Sequence, residues 1–131
     1  MLNSRVCGTV LAWRLSMVIS TLRLFPSQGQ RRDVLTALRS VQGPTRSMSH
    51  CLCCELLEED GHQDAIIYLQ QWDSEEELHR HIQSDLYGRI LGIAELSRIP
   101  PEFNFHYVNK SRQLDLIEAL RCRAAQGNNQ P

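Results

Sequence analysis

IIYLQQWDSEEELHRHIQSDL, residues 66–86, places a strand pattern directly before a helix pattern and decides the fold. The first seven residues are rich in β-branched and aromatic side chains, which favour a strand. Because side chains alternate along a strand, one face carries Ile66, Tyr68, Gln70 and Trp72. The opposite face carries Ala65, Ile67, Leu69 and Gln71. Both faces contain apolar residues, so both are expected to be at least partly covered.

The second half of the stretch predicts a helix. Ser74 is followed three residues later by Glu77, which is the spacing of a capping box. Apolar side chains then recur every four residues, at Leu78, Ile82 and Leu86. A second helical pattern, with Ile90, Leu91 and Ala94, runs on to Pro100 and Pro101. We expect Gly88 or Gly92 to bend or divide these two pieces.

The residues before this stretch predict two more strands and a helix. MVISTLRLF, residues 17–25, is a strand pattern whose one face carries Val18, Ser20, Leu22 and Leu24. A helix pattern follows and is expected to end at Gly43 and Pro44. The apolar stripe of that helix consists of Val34, Leu35, Leu38 and Val41. Residues 50–57 predict the second strand, which the polar turn of residues 58–64 joins to the third as a hairpin.

The residues after the stretch complete the domain. FNFHYV, residues 103–108, is the fourth strand, which gives the order β, α, β, β, α, β. This order predicts an α+β protein with a ferredoxin-like domain over residues 17–108, an antiparallel sheet with helices on one face. Because one helix layer covers only one sheet face, the open face predicts a homodimer. Within residues 109–131, Ser111 is expected to cap a last amphipathic helix before a polar tail.

Composition limits the classes of function. With 42% hydrophobic and 22% charged residues among 131, the chain is expected to fold around one core. Residues 1–54 hold seven arginines and one acid, but these are scattered without aromatic interleaving, so no nucleic-acid partner is expected. Residues 1–16 contain an apolar run too short to span a membrane, so no membrane partner is expected. We interpret that segment as an overextended start or a disordered arm.

The five cysteines predict neither a disulfide framework nor a metal centre. Their number is odd, and they lie at Cys7, Cys51, Cys53, Cys54 and Cys122. Cys51 and Cys53 are expected to share a strand face, and no C-x-x-C or H-x-x-x-H partner is present elsewhere. Cysteine within an apolar strand commonly behaves as a small buried hydrophobe. Reduced cysteines favour a cytoplasmic location.

Residues 17–108 resemble the antibiotic biosynthesis monooxygenase family, including its quinol monooxygenase members. The most specific likeness is the spacing of Trp72, Ser74, Glu76 or Glu77, Leu78, His81 and Ser84. A weaker likeness lies at the end of the first strand, in Arg23, Pro26, Gly29 and Gln30. Three departures concern the site: Gln70 stands where the family often has a carboxylate, Ser27 and Gln28 split its Pro-Gly-Gln turn, and Leu86 stands where it often has a histidine.

The resemblance implies a dimeric α/β barrel that oxidises a small aromatic quinol or polyketide-like phenol with dioxygen, using no metal or other cofactor. A deprotonated phenol is electron-rich enough to reduce dioxygen, so the protein needs only to bind, orient and desolvate it while assisting proton transfer. On this interpretation Trp72 stacks on the substrate and His81 takes or returns a proton. Gln70 and Tyr68 hydrogen-bond its oxygens, and Ser20 and Leu22 complete the wall.

Each of these residues also has a structural explanation, and other functions stay open. Trp72 can be a core residue, and His81 can pair with Asp85 at the rim. A haem-binding or haem-degrading relative of the same fold is one alternative, although an asparagine would be expected where the first strand has Ser20 and Leu22. A non-catalytic dimeric binding module is the other. Oxygen uptake with phenols and a Soret band with haemin separate the three.

Overall fold

The computed structural model describes residues 17–61 and 63–128, and it confirms the α+β architecture. The strands are β1 (Met17–Leu24), β2 (Cys51–Glu58), β3 (Ile66–Trp72) and β4 (Glu102–Val108), and the helices are α1 (Arg31–Arg46), α2 (Glu75–Ile82), α3 (Asp85–Ala94) and α4 (Leu114–Asn128). A short 3-10 turn, Gln28–Gln30, precedes α1. The predicted arm of residues 1–16 lies outside the described residues.

All neighbouring strands are antiparallel, in the order β2-β3-β1-β4. This is the ferredoxin-like order, in which the two central strands are the first and third in the chain. Ser20 lies opposite Gln70, and Val18 lies opposite Trp72. Trp72 in turn lies opposite Cys51. The register therefore gathers the predicted site residues of β1 and β3 on one sheet face.

The hydrophobic core lies between this sheet face and the helices. Helix α1 packs on β2 and α3, and α2 packs on β1 and β3. The core cluster includes Val18, Leu22, Leu24, Val34, Leu38, Val41, Ile66, Tyr68, Trp72, Leu78, Tyr87 and Ile90, all nearly inaccessible to solvent. The predicted stripes of the helices and the even-numbered positions of β1 and β3 thus form one core.

The end of α1 differs from the sequence prediction. Gly43 and Pro44 do not stop the helix, which continues to Arg46. Thr45 extends the buried stripe by one position, four residues after Val41, and its hydroxyl donates to the Val41 carbonyl at 2.8 Å. Pro44 cannot donate a hydrogen bond to the Ser40 carbonyl, so its place inside the helix has a cost that other contacts must offset. Packing of this turn on the sheet therefore outweighs the local stop signal.

The division between α2 and α3 also differs from the prediction. The break lies at Gln83 and Ser84, before both glycines that were expected to cause it. The Ser84 hydroxyl accepts a hydrogen bond from the backbone N–H of Tyr87 at 3.2 Å, as Ser74 does from Glu77 at the start of α2. A serine that caps the next helix, rather than a flexible glycine, therefore ends the first one.

A bulge in β2 overturns the prediction that Cys51 and Cys53 share a face. The register shifts between these residues, so that Cys51 lies opposite Trp72 and Cys53 opposite Gln71. Cys54 then lies opposite Gln70, on the same face as Cys51. A bulge inserts one extra residue and reverses the alternation beyond it.

The structure also corrects the expectation of uniformly reduced cysteines. Cys53 is disulfide-bonded, whereas Cys51, Cys54 and Cys122 are thiols that take part in no disulfide. An odd number of cysteines argues against a complete framework, but it leaves room for a single bridge. The cytoplasmic location stays a prediction, and its argument from reduced cysteines does not extend to Cys53.

Helix α4 begins later than predicted and lies largely in solvent. It starts at Leu114, so Ser111 is not its cap. Instead the Asp115 carboxylate accepts from the Gln113 N–H at 3.0 Å, inside the first turn. Its apolar residues are exposed, namely Leu114, Leu116, Ile117 and Leu120. None of the helices within residues 17–61 and 63–128 is long and apolar enough to cross a membrane.

Candidate active site

A cleft of about 290 Å³ opens where β3 ends and α2 begins. Its walls come from the loop before β2, the last residue of β3 and one side of α2. The lining residues are Met48, Ser49, His50, Trp72, Glu77, Arg80, His81 and Ser84. Trp72 and His81 form the buried part of the lining, and the charged side chains lie at its mouth. Two of the predicted site residues therefore meet in one cavity.

Trp72 is held in a fixed orientation at the inner end of the cleft. It is 1% exposed, and its indole N–H donates to the Gln70 side-chain oxygen at 2.8 Å. Its ring centroid lies 5.0 Å from that of His81, with 31° between the planes. Because Gln70 is itself buried, this hydrogen bond fixes the indole without solvent competition. The indole is thus a rigid aromatic surface beside an imidazole.

His81 is a buried imidazole to which no described protein group is hydrogen-bonded. The residue is 3% exposed, and neither ring nitrogen has a partner. The alternative explanation of His81, a pairing with Asp85, is therefore wrong. Burial disfavours the charged ring and lowers the pKa of His81 to about 4, so the ring is neutral near pH 7. Tyr87 contacts the ring edge-on, with centroids 5.4 Å apart, and holds it from the α3 side.

The remaining predicted residues lie on the same sheet face but do not line this cleft. Gln70, Tyr68, Ser20 and Leu22 are all buried behind Trp72. The Tyr68 hydroxyl is enclosed without a hydrogen bond of acceptable geometry, and burial raises the pKa of this phenol. Ser20 and Leu22 lie opposite Gln70 and Tyr68 in the sheet. The structure therefore places these four together as one buried patch next to the cleft.

Sequence reasoning did not predict that His50, which lies at the mouth of the cleft, contacts the Asp73 carboxylate. His50 Nδ1 lies 2.9 Å from Asp73 Oδ1. The backbone N–H of Asp73 also donates to the His50 carbonyl, at 3.1 Å. The two residues are 23 positions apart in the chain, and they meet because they flank the opposed pair of Cys51 and Trp72. The hairpin was predicted, but its register, which the bulge in β2 alters, was not.

Metal ligands do not cluster in the part of the chain that the structure describes. Across residues 17–61 and 63–128, no three His, Cys, Asp or Glu side chains are placed to hold an ion together. Burial raises the pKa of the Cys54 thiol to about 11, so this thiol is protonated near pH 7. The described residues thus offer no conventional ligand set.

Acid is expected to weaken the fold through His81. Its pKa is about 6.5 when unfolded and about 4 when folded, so the unfolded chain binds more protons between these values. The free energy of unfolding should therefore be unaffected above about pH 6.5 and should fall by about 2 to 3 kcal/mol from this group by about pH 4.5. Urea unfolding of wild type and His81→Leu at both pH values measures the effect. Equal pH dependence in the two proteins would contradict it.

Comparison with known proteins identifies one family and many similar folds. The sequence model of a family described as "Antibiotic biosynthesis monooxygenase" matches residues 17–91. Among proteins of curated function, no significant match was found. Among solved structures, Rv0793 from Mycobacterium tuberculosis is similar at 19% identity and a TM-score of 0.66, covering 74% of this chain and 99% of that one.

Two other solved structures show the same similarity of fold. A candidate antibiotic biosynthesis monooxygenase from Deinococcus radiodurans has 18% identity and a TM-score of 0.65, covering 73% of this chain and 96% of its own. The protein SO0527 from Shewanella oneidensis has 11% identity and a TM-score of 0.66, covering 77% and 98%. At these identities the similarity establishes a shared fold and not a shared substrate.

Proposed function

The chain belongs to the antibiotic biosynthesis monooxygenase family, and we propose that it is a cofactor-independent monooxygenase acting on a small aromatic quinol or polyketide-like phenol. The observation that carries this proposal is the pairing of a neutral, unbonded His81 with the rigid ring of Trp72 in one cleft. Buried polar atoms are normally hydrogen-bonded, so an imidazole without a protein partner is suited to bind a ligand. A phenolic hydroxyl supplies the missing donor.

The proposed reaction requires no redox group from the protein. For an anthrone-type substrate, the ring CH₂ loses two hydrogens and gains one oxygen to become C=O. The second oxygen atom of O₂ leaves as water with those two hydrogens, so the substrate itself provides all four electrons that reduce O₂ and both protons. The protein must ionise the substrate, keep it desolvated and return its proton. These tasks need a base and a shaped apolar surface.

His81 and Trp72 fit those two tasks. Because its pKa is about 4, His81 is unprotonated at neutral pH and one nitrogen can accept the substrate O–H. The Trp72 ring lies beside it and is 1% exposed, so an aromatic ring can stack on it only when the cleft opens further. A cleft of about 290 Å³ is at the small end of ligand sites, which favours a small aromatic substrate.

We retain Gln70, Tyr68, Ser20 and Leu22 as proposed substrate contacts of an inner wall. All four continue the sheet face that carries Trp72. They are covered in the described arrangement, so a substrate reaches them only if the cleft extends inward beneath α2. The unbonded hydroxyl of Tyr68 supports this extension, because it can donate to a substrate oxygen.

We also propose that the protein is a homodimer formed through the open sheet face. This face lies opposite the helix layer and carries Ile19, Ile67 and Leu69, which are partly exposed, and the exposed Leu57. Partly exposed aliphatic side chains on adjacent strands are suited to pack against a second copy by two-fold symmetry. A dimer of this kind buries the face that the protein's own helices leave uncovered.

Oxygen uptake by metal-stripped protein tests the proposed function. With hydroquinones, naphthohydroquinones and anthrones, wild type is expected to consume dioxygen, and ¹⁸O₂ should place one labelled atom in the product. Trp72→Phe keeps a ring but loses the indole N–H, and it should lower uptake several-fold. Uptake no faster than buffer with every substrate would refute the proposal. A Soret band with haemin would then favour the haem-binding alternative, and neither signal would favour the binding module.

A further inference from the structure

We infer that His50, held by Asp73, is a second base of this cleft, which holds the substrate's proton during the oxygen step and then returns it. The inference rests on the proposed function. His50 lines the same cavity as Trp72 and His81, and Asp73 contacts His50 from outside that lining. Asp73 acts on His50 and is a positioning residue.

The position of His50 is fixed by two contacts with Asp73. Its Nδ1 lies 2.9 Å from the Asp73 carboxylate, and its carbonyl accepts from the Asp73 N–H at 3.1 Å. An ionised carboxylate only accepts hydrogen bonds, so Nδ1 carries the hydrogen of a neutral ring. The nitrogen left to accept a proton is therefore Nε2. This is the arrangement in which a carboxylate orients an imidazole as a base and stabilises its charged form.

The charges around the cleft are compatible with this role. The other charged side chains that line it, Glu77 and Arg80, form an ion pair with each other. The Asp73 side chain is 11% exposed, whereas that of His50 is 46% exposed. A charged His50 ring would thus have a partly buried carboxylate on one side and solvent on the other, whereas a charged His81 ring would have neither.

A second base is needed because His81 cannot hold the substrate's proton during the reaction. A proton taken by His81 cannot stay there near pH 7, because burial makes its charged form unfavourable. In the proposed reaction one of the two CH₂ hydrogens leaves as the proton of the enol oxygen, rests on His50 Nε2 and is returned to the oxygen that becomes water. No net proton is gained or lost. His50 is therefore the site where the proton is held while dioxygen reacts.

Chemical rescue tests this inference. His50→Ala is expected to lower kcat at least about a hundredfold, which is the low end of the contribution of a general acid–base group. Because the site is half-exposed, added imidazole should restore activity in proportion to its concentration. His50→Gln should lose activity similarly without rescue, because the glutamine fills the space. Asp73→Asn should reduce kcat less and leave KM nearly unchanged.

His79→Ala is the matched control. His79 lies 3.5 Å from Glu75 on the outer side of α2, so it is another histidine–carboxylate pair, but it does not line the cleft. Its loss should change neither kcat nor the response to imidazole. If wild type is active and His50→Ala is equally active, or is inactive without rescue, the inference fails while the proposed function stands. If wild type consumes no oxygen, both fail.

Discussion

Replacing His81 with leucine is expected to lower oxygen uptake at least tenfold and to raise the free energy of unfolding by about 1 to 3 kcal/mol near pH 7.5. The imidazole is 3% exposed and has no hydrogen-bond partner among the described groups, so its burial costs energy. Leucine removes the polar atoms at similar volume. Lower oxygen uptake together with a higher free energy of unfolding is expected if the His81 ring serves to bind substrate and not to stabilise the fold.

His79→Leu provides the control for this variant. It makes the same substitution two residues earlier on α2, where the side chain is exposed. Neither uptake nor unfolding should change by more than a small amount. An oxygen electrode and urea unfolding at one pH measure both quantities for both variants. A His81→Leu protein that is less stable and fully active would show that His81 is a structural residue.

The fold was predictable because its signals are local. The alternation in residues 66–72, the capping box at Ser74 and the apolar stripe of α2 each depend on neighbours within a few positions. Together with the order of elements they leave few ways to build one layer of helices on one sheet. The ferredoxin-like domain follows from these patterns, and the structure confirms it.

The details that were wrong depend on packing between distant segments. Helix α1 continues through Pro44 because Thr45 is buried in the core. No local sequence pattern predicts this burial. The bulge in β2 moves Cys53 to the face opposite Cys51. A one-residue change of register reverses every side chain beyond it, and turn composition alone does not set the register. Sequence reasoning therefore misplaced individual side chains within a correct fold.

The same limit applies to the candidate site. Trp72 and His81 were expected to be neighbours, because a strand end and the following helix are joined by a few residues, and they do line one cleft. Gln70 accepts the hydrogen bond of Trp72, which was not foreseen, and its contact with a substrate stays a prediction. The pairing of His50 with Asp73 requires the register of the hairpin. The contact that depends on strand register was thus beyond prediction, whereas the proximity of a strand end and the helix that follows it was not.

Leu69→Lys is expected to weaken dimerisation at least a hundredfold. Leu69 is partly exposed on the central strand β3, on the sheet face opposite the helices, and it lies opposite Thr21 and Glu55. Two-fold symmetry places two copies of each substitution in one interface, where burying an ammonium group is costly. Within the protomer, lysine opposite Glu55 forms a favourable cross-strand charge pair, so the fold itself should be retained.

Sedimentation equilibrium at micromolar concentrations measures this effect, and Leu91→Lys is its control. Leu91 is 46% exposed on α3, in the helix layer on the other side of the sheet. The control should remain dimeric while Leu69→Lys is monomeric, and circular dichroism should show both folded. Loss of the dimer only in Leu91→Lys would place the interface on the helix layer. If wild type is monomeric, the partly exposed aliphatic residues of the open sheet face do not drive association. The inference of a dimer from an uncovered sheet face would then fail.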